Sequence, residues 1–212
     1  MSLFITFEGP EGSGKTTQIH LLAGWLRAQG QAVLATREPG GTSIGNRVRA
    51  ILLDTAHHEM QPQAEILLFS AARAQIVAQV IRPHLAAGGV ILCDRYADST
   101  FAYQGYGRQL DLATLRLITR FATGGLQPDL TFCLDLPVEV GLQRKRAGAG
   151  EEWNRLEQET LAFHERVRWG YLEMARAEPA RWRVLDATWP VEALQAAMRS
   201  EVATALGGRS IA

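Results

Sequence analysis

The sequence predicts an α/β fold of three layers, in which helices cover both faces of a five-stranded parallel sheet. Short β-branched or aromatic runs alternate with longer helical patterns over 212 residues, as in successive βαβ units. A glycine-rich loop also joins the first run to the first helical pattern. The strands are predicted at 3–8, 31–36, 89–94, 130–135 and 182–186. The helices are predicted at 15–29, 43–54, 62–86, 98–122 with a break at Gly105 and Gly107, 137–147, 155–178 and 190–206.

The length of the chain predicts one domain, because 212 residues are long for one small core but short for two ordinary domains. The sequence has no repeat and no linker rich in Pro, Gly or Ser. A stretch of small residues between two helical patterns, 146–152, is typical of a flap. We therefore expect a single domain over 1–212 with a lid at about 144–155.

Composition predicts a soluble protein of the cytoplasm without a membrane partner. Hydrophobic residues make up 47% and charged residues 21% of the chain. No uninterrupted apolar run approaches the roughly 18 residues typical of a membrane span. The first six residues lack a basic start and an apolar stretch, and Glu8 follows almost at once, unlike a signal peptide.

Charge and cysteine usage narrow the class of protein further. The formal net charge is zero, which argues against a nucleic-acid partner and makes any anion site a local one. Lysine is rare, since Lys15 and Lys145 are the only two. Cys93 and Cys133 each lie in a short apolar run and are predicted to be buried thiols in strands, without a disulfide or metal role.

A phosphate-binding loop is predicted directly after the first strand. The segment 9–16 reads GPEGSGKT, which matches G-x-x-x-x-G-K-S/T between a strand and a helix. Its glycines let successive N–H groups converge, and the following helix adds its positive dipole end. Lys15 would bridge the β- and γ-phosphates, and Thr16 would hold Mg²⁺. The alternative is an ordinary glycine-rich turn. The predicted nucleotide-binding residues are Gly9, Pro10, Glu11, Gly12, Ser13, Gly14, Lys15, Thr16 and Thr17.

The loop alone does not distinguish a switch, a motor and a kinase, because one fold hosts all three. A GTPase would be expected to read guanine with N-K-x-D, and neither lysine follows an asparagine. A small-molecule kinase instead requires a second anion pocket, with arginines that bring two polyanions together.

Several ordered motifs resemble the thymidylate kinase family over essentially the whole chain. They are FEG at 7–9, TREPGGT at 36–42, Phe69 with Arg73, DRY at 94–96, Ser99, and AYQG at 102–105. The resemblance implies a P-loop kinase fold, transfer of the γ-phosphoryl group of ATP to dTMP with Mg²⁺, and formation of dTDP for dTTP synthesis. It also implies a homodimer, and the nearly all-round apolar character of the helix at 62–86 favours a subunit contact there.

Phe69 and Arg73 form a candidate base-reading pair, because residues four apart project from one face of a helix. A ring could stack on a pyrimidine while a guanidinium reaches its carbonyl oxygen. By periodicity alone, the two could equally be a core residue and a surface charge. The resemblance implies that they read thymine.

Asp94 and Arg95 follow the strand at 89–94, at the carboxyl edge where parallel sheets bind ligands. The aspartate could hold Mg²⁺ or its waters, and the arginine could span the acceptor phosphate and the transferring group. A structural ion pair is the alternative.

The remaining acceptor residues rest on the resemblance. It implies that Glu11 contacts the 3′-hydroxyl of dTMP and that Tyr103 and Gln104 line the sugar and base. The segment 185–188 resembles the region that passes the adenine. The acceptor side implied in this way comprises Glu11, Arg37, Glu38, Arg49, Phe69, Arg73, Arg95, Ser99, Thr100, Tyr103 and Gln104.

The lid region departs from part of the family pattern. Some members carry an arginine in the P-loop where this chain has Gly12, so the charge must come from elsewhere. Bacterial-type members have basic lid residues, and the candidates here are Arg144, Lys145, Arg146 and Arg155. A hydrated helix end is the alternative. Asn154-Arg155 stands where members commonly have Asp-Arg before the next helix. Asn154 is still predicted to cap that helix together with Glu157.

The resemblance implies a mechanism without a general base, because a phosphate monoester with a second pKa near 6 is already largely a dianion at neutral pH. Catalysis would rest on positioning and charge neutralisation. The catalytic set implied is Lys15, Glu38, Arg95, Arg144 and Arg146. A deoxynucleoside kinase and a non-catalytic nucleotide-sensing P-loop protein are the alternatives.

Overall fold

The computed structural model describes residues 2–147 and 154–207. In this part of the chain, five parallel strands form one sheet in the order β2-β3-β1-β4-β5. The strands are β1 Leu3–Glu8, β2 Val33–Arg37, β3 Val90–Asp94, β4 Leu130–Asp135 and β5 Trp182–Asp186. The predicted five-stranded parallel α/β fold is confirmed, with each strand within two residues of its expected bounds.

Helices connect the strands and cover both faces of the sheet. They are α1 Lys15–Ala28, α2 Ser43–Leu53, α3 Pro62–Ile76, α4 Arg82–Ala86, α5 Ala97–Thr100, α6 Leu112–Thr123, α7 Val138–Ala147, α8 Leu161–Ala177 and α9 Val191–Gly207. Two π-helical segments, Val77–Ile81 and Phe101–Gly107, continue α3 into α4 and extend α5.

The side chains of β1 alternate between two cores because successive strand residues point to opposite faces. Leu3, Ile5 and Phe7 pack against apolar residues of α1 and α9. Phe4 packs on the other face, against the π-helical segment after α3 and against Tyr96. Alternation therefore directs Glu8, the last residue of β1, to the second face.

The predicted helices at 62–86 and 98–122 are present but less regular than expected. The first contains the π-helical turn Val77–Ile81. The second has its break at 108–111, directly after the predicted glycines, and α6 restarts with Asp111 as its N-cap. A π-helical segment is not distinguishable from an α-helix by hydrophobic periodicity, and such segments often occur at functional sites.

The helix predicted at 155–178 begins later, at Leu161. Asn154 and Glu157 do form the predicted reciprocal hydrogen bonds: the Asn154 N–H donates to Glu157 Oε2 at 2.8 Å, and the Glu157 N–H donates to Asn154 Oδ1 at 3.3 Å. These bonds close a turn that precedes the helix. Thr160 is the N-cap of α8, since its side chain accepts from the Phe163 N–H. The predicted hydrogen bonds between Asn154 and Glu157 are confirmed. The prediction that they begin the helix is wrong, because α8 begins at Leu161.

One helix in the described residues, 62–86, is long and apolar enough to span a membrane by length and composition alone. Ile76, Val77 and Ile81 pack on the sheet, as expected of a core helix. Its two buried charged residues, Glu65 and Arg73, are both hydrogen-bonded within the protein. The apolar composition of this helix is therefore accounted for by its packing on the sheet.

Cys93 lies in β3 and Cys133 in β4, and both are free and fully buried, as predicted. Burial raises the pKa of the Cys93 thiol well above its usual value, which is typical of an inert structural cysteine.

Candidate active site

The carboxyl ends of the central strands surround a single P-loop. Glu8 ends β1, Arg37 ends β2 and Asp94 ends β3, and the loop 9–14 joins β1 to α1. In an open parallel sheet this edge is where ligands bind. The topology therefore brings the P-loop, the DRY segment and the REPGG segment to one edge.

The P-loop curls around the lysine that begins α1. Lys15 is buried, and its Nζ donates to Gly9 O at 3.3 Å, to Pro10 O at 2.9 Å and to Ser13 Oγ at 3.2 Å. Burial and the nearby Arg95 cation lower the lysine pKa to about 8, against the opposing effect of Glu11. A bound anion would favour the charged form, so this ammonium is suited to a phosphate.

Gly12 is in a position where a side chain cannot be accommodated. Its φ is 68°, and a Cβ built there would lie 2.1 Å from the carbonyl oxygen of Gly141 in α7. The helix that carries the basic lid residues thus packs directly on the P-loop backbone. The close approach of Gly141 therefore leaves no room for an arginine at this position of the P-loop.

The two predicted metal ligands are hydrogen-bonded to each other. Thr16 Oγ1 donates to Asp94 Oδ2 at 2.9 Å, joining the start of α1 to the end of β3. Hydroxyl and carboxylate oxygens are the ligands that Mg²⁺ prefers. The donor set therefore fits a magnesium ion held at the mouth of the P-loop.

Arg95 occupies the centre of the site in a strained backbone conformation. Its φ is 65°, which is uncommon for a residue other than glycine. Its Nη1 donates to Gly9 O at 3.1 Å and to the Tyr171 hydroxyl at 2.9 Å, and its Nη2 donates to Glu11 Oε1 at 2.7 Å. The guanidinium thus lies between the P-loop and α8, where it can reach an anion bound at either.

Glu11 is the acidic partner of this arginine. Burial opposes ionisation, but Arg95 and Lys15 outweigh it, and a hydrogen bond from the Tyr103 hydroxyl at 2.8 Å adds to them. Together they hold the Glu11 pKa at about 2. Glu11 is therefore ionised at neutral pH and can accept a hydrogen bond from a ligand hydroxyl.

Glu8 forms a buried polar cluster behind Arg95. Its Oε1 accepts from the Tyr96 N–H at 2.8 Å, and its Oε2 lies 2.6 Å from Ser99 Oγ and 2.9 Å from the Tyr171 hydroxyl. Burial and the Asp98 carboxylate raise the Glu8 pKa to about 7, although Arg95 lowers it. The motif analysis assigned no role to Glu8 and missed Tyr171, whose position in a regular helical pattern resembles an ordinary core residue.

Arg73 of the predicted base-reading pair is almost fully buried. Its Nε donates to Glu38 Oε2 at 2.7 Å, its Nη1 to Thr100 Oγ1 at 2.8 Å and its Nη2 to Tyr96 O at 3.1 Å. Among the described residues, these bonds use three of its five N–H groups. Phe69, one turn away, is half-buried. The alternative that Arg73 is merely a surface charge is wrong.

Glu38 and two further arginines extend the site toward β2. Burial raises the pKa of Glu38 despite its bond to Arg73. Arg49 Nη1 donates to Pro39 O at 3.1 Å, while Arg37 is exposed at the end of β2. Burial and the neighbouring cations Arg37 and Arg95 lower the Arg49 pKa. Mutual repulsion of this kind is relieved when an anion binds between the cations.

Gln104 belongs to a network centred on a buried carboxylate in α3. Glu65 Oε1 accepts from Gln104 Nε2 at 2.8 Å, and Glu65 Oε2 accepts from Arg108 Nη2 at 2.9 Å and from Arg155. Arg155 is buried here, and its Nε also donates to Leu52 O. The guanidinium of Arg155, one of the four candidate basic lid residues, is thus bonded to Glu65 in this structure.

The other basic lid candidates lie at the end of α7. Arg144 Nη1 donates to Ala187 O at 3.0 Å, in the segment predicted to pass the adenine. Lys145 pairs with Glu157 at 3.4 Å, and Arg146 is in the last turn of the helix. The predicted flap at 146–152 lies largely outside the described residues.

The remaining predicted residues lie around the same edge. Ser99 and Thr100 contact Arg95 and Arg73 respectively, and Tyr103 lies beneath the Arg95 guanidinium, 4.9 Å from its ring centroid to Cζ. Thr17 is exposed in the first turn of α1. The structure thus gathers the predicted residues into one region, and their individual roles stay predictions.

A family model, related sequences and a solved structure all match this chain to the same protein family. Residues 7–198 match the family model described as thymidylate kinase. A thymidylate kinase from Roseiflexus sp. (strain RS-1) is 60% identical, and the alignment covers 92% of this chain and 90% of that protein. One from Deinococcus radiodurans is 57% identical, with 92% and 93% covered. The crystal structure of thymidylate kinase from Ehrlichia chaffeensis superposes with a TM-score of 0.72 at 35% identity, over 87% of this chain and 92% of that one.

Proposed function

This chain belongs to the thymidylate kinase family, and from that premise we propose that it transfers the γ-phosphoryl group of ATP to dTMP. The products are ADP and dTDP, and the enzyme is a nucleoside monophosphate kinase. We further propose that it acts in the cytoplasm as a single domain.

The observation that best supports this function is Arg95, whose guanidinium lies between the P-loop and the acceptor-side residues. It bonds Gly9 O and Glu11 in the loop and the Tyr171 hydroxyl of α8. A planar fork in that position can contact a donor phosphate and an acceptor phosphate at once. The test is a coupled assay of ADP formation with dTMP, dUMP, dCMP, dGMP, dAMP and thymidine. Turnover with thymidine but not dTMP would instead indicate a deoxynucleoside kinase.

Charge neutralisation carries the proposed chemistry. Lys15 and the P-loop N–H groups hold the donor phosphates, and Arg95 screens the repulsion between donor and acceptor. Thr16 and Asp94 would hold Mg²⁺, which supplies further positive charge to the transferring group. The acceptor phosphate is already largely a dianion at neutral pH, so no side chain has to abstract a proton.

We expect dTMP to be preferred over dCMP by about ten- to hundredfold in kcat/KM, because an arginine donor can face the O4 of thymine but opposes the amino group of cytosine. The N–H groups of Arg73 that the protein bonds do not use are the proposed donors, with Phe69 stacking on the ring. The measurement is the ratio of the two kcat/KM values. Arg73→Gln should reduce this ratio, and equal use of both nucleotides by the unaltered chain would place the base pocket elsewhere.

We propose that the protein is a homodimer through an apolar patch formed by α3 and α6. Leu67 on α3 is 58% exposed, and Leu117 and Phe121 on α6 are 72% and 90% exposed. Ala64 and Ala71 of α3 and Ala78 of the following π-helical segment are also exposed, at spacings that place them on the same side as Leu67. A patch that combines small residues with large apolar ones is typical of helix packing between subunits.

Phe121→Glu should convert the dimer to a monomer, because it places a charge at the centre of the proposed contact. Light scattering after size exclusion would show the mass fall from twice the chain mass of 23.3 kDa to a single chain. Val184→Glu is the matched control, since Val184 is 46% exposed on the edge strand β5. The proposed patch is excluded if both variants keep the mass of the unaltered protein.

A further inference from the structure

We propose that Glu8 is a positioning residue whose carboxylate orients the Ser99 and Tyr171 hydroxyls so that their oxygen lone pairs face Arg95. The inference rests on the proposed function, because it assigns how the central arginine of that site is held. Glu8 is fully buried and makes no bond of its own to Arg95 among its hydrogen bonds in the structure.

Two hydrogen bonds to the end of β1 hold the backbone at Arg95 and at the next residue. The Arg95 N–H donates to Phe7 O at 2.9 Å, and the N–H of the next residue, Tyr96, donates to Glu8 Oε1 at 2.8 Å. Phe7 and Glu8 are adjacent at the end of β1. The strand thus contributes one backbone acceptor and one side-chain acceptor to a residue whose φ is 65°. A strained conformation persists only where its surroundings hold it.

The side chain of Arg95 is held through two shared hydroxyls. Its Nη1 lies 2.9 Å from the Tyr171 hydroxyl and 3.4 Å from Ser99 Oγ. The same two oxygens lie 2.9 Å and 2.6 Å from Glu8 Oε2. Because arginine has only donors, each hydroxyl must present a lone pair to it. In its ionised form, Glu8 accepts both hydroxyl protons at Oε2 and leaves the oxygen lone pairs toward Arg95.

The geometry makes Glu8→Gln an informative change, because the amide has the same shape and different hydrogen-bonding groups. Its carbonyl can still accept from the Tyr96 N–H. Its NH₂ group then occupies the position of Oε2 and donates to the hydroxyl oxygens, so their protons must turn toward Arg95 or toward each other. The orientation of Arg95 is weakened without the loss of any side-chain volume.

The expected result for Glu8→Gln is a fall in kcat of about tenfold or more, with the KM for ATP changed by less than about threefold. The decisive measurement is a double-mutant cycle with Arg95→Ala. If Glu8 acts through Arg95, Glu8→Gln should lower kcat by less than about twofold in the Arg95→Ala background. Losses that multiply in the double variant would overturn the proposal, as would normal kcat in Glu8→Gln.

Thr6→Val is the matched control for a general loss of packing. Thr6 is also buried in β1, and its hydroxyl is bonded to the Thr131 hydroxyl at 2.8 Å, whereas Glu8 bonds the Ser99 and Tyr171 hydroxyls that contact Arg95. Thermal unfolding of both variants should show comparable shifts, while only Glu8→Gln loses turnover. A fall in kcat of Thr6→Val equal to that of Glu8→Gln would assign both effects to stability.

Tyr171→Phe provides a second test of the positioning proposal if Glu8→Gln does not fold. It removes one shared hydroxyl and keeps the ring, and kcat should fall by about fivefold or more, again without effect in the Arg95→Ala background. An additive loss contradicts the proposal. If the unaltered protein does not phosphorylate dTMP, the proposed function fails. In that case, the coupling between Tyr171 and Arg95 is measured from the unfolding midpoints of Tyr171→Phe, Arg95→Ala and the double variant. Additive shifts of the midpoint would overturn the positioning proposal.

Discussion

Lys15→Ala should leave a folded protein that has lost about a thousandfold or more of its phosphoryl-transfer activity, because it deletes a buried positive charge at the transferring phosphates. The three oxygen atoms that accept from Lys15 Nζ belong to Gly9, Pro10 and Ser13 in the same loop. The lysine is therefore held by the P-loop and bears no part of the packing between helices and sheet. Its burial lowers its pKa to about 8, so removing it relieves a desolvation cost and should not unfold the chain.

The measurement is steady-state turnover with ATP and dTMP, together with circular dichroism and thermal unfolding. Arg27→Ala is the matched control, because it removes one positive charge from the last turn of the same helix, where the arginine donates to Val33 O. Turnover of the control should remain close to normal. Near-normal turnover of Lys15→Ala would remove the P-loop from the mechanism.

The sheet and the P-loop could be predicted from the sequence because their signals are local. A buried parallel strand is a short apolar run, and its bounds varied by no more than two residues here. The P-loop motif combines a tight backbone turn with a helix start, and both depend on residues adjacent in the chain. For the same reason, Asp94 and Thr16 could each be identified at an element end, and parallel topology then brings them together.

The contacts between distant segments could not be predicted in this way. Arg155 and Glu65 are far apart in sequence, and both occupy positions that periodicity alone assigns to a lid or a helix face. Tyr171 is a similar case, since an aromatic residue in an amphipathic helix is usually only a core residue. Its hydroxyl hydrogen-bonds the buried carboxylate of Glu8, at the end of β1. Buried polar networks depend on tertiary placement, which no single-segment pattern contains.

Changing both Arg144 and Arg146 to Ala should lower turnover strongly, on the order of a thousandfold, while dTMP binding changes little. At Gly12, the backbone of Gly141 occupies the space that an arginine side chain would need. We propose that the positive charge lacking at this position comes from α7, which packs on the loop and carries three basic residues in its last turn. Arg144 donates to Ala187 O, in the segment predicted to pass the adenine of the donor.

Turnover and dTMP affinity should be measured separately for this double variant, the latter by calorimetry without ATP. Arg27→Ala combined with Arg176→Ala is the control, since it removes the same charge from the last turns of α1 and α8. Single changes should have smaller effects because Lys145 lies between the two arginines. A selective fall in kcat means that these arginines act on the transferring group, because a uniform binding contact would have changed KM alone. Unchanged turnover would mean that they form a hydrated helix end, and that Lys15, Arg95 and Mg²⁺ neutralise the phosphoryl group alone.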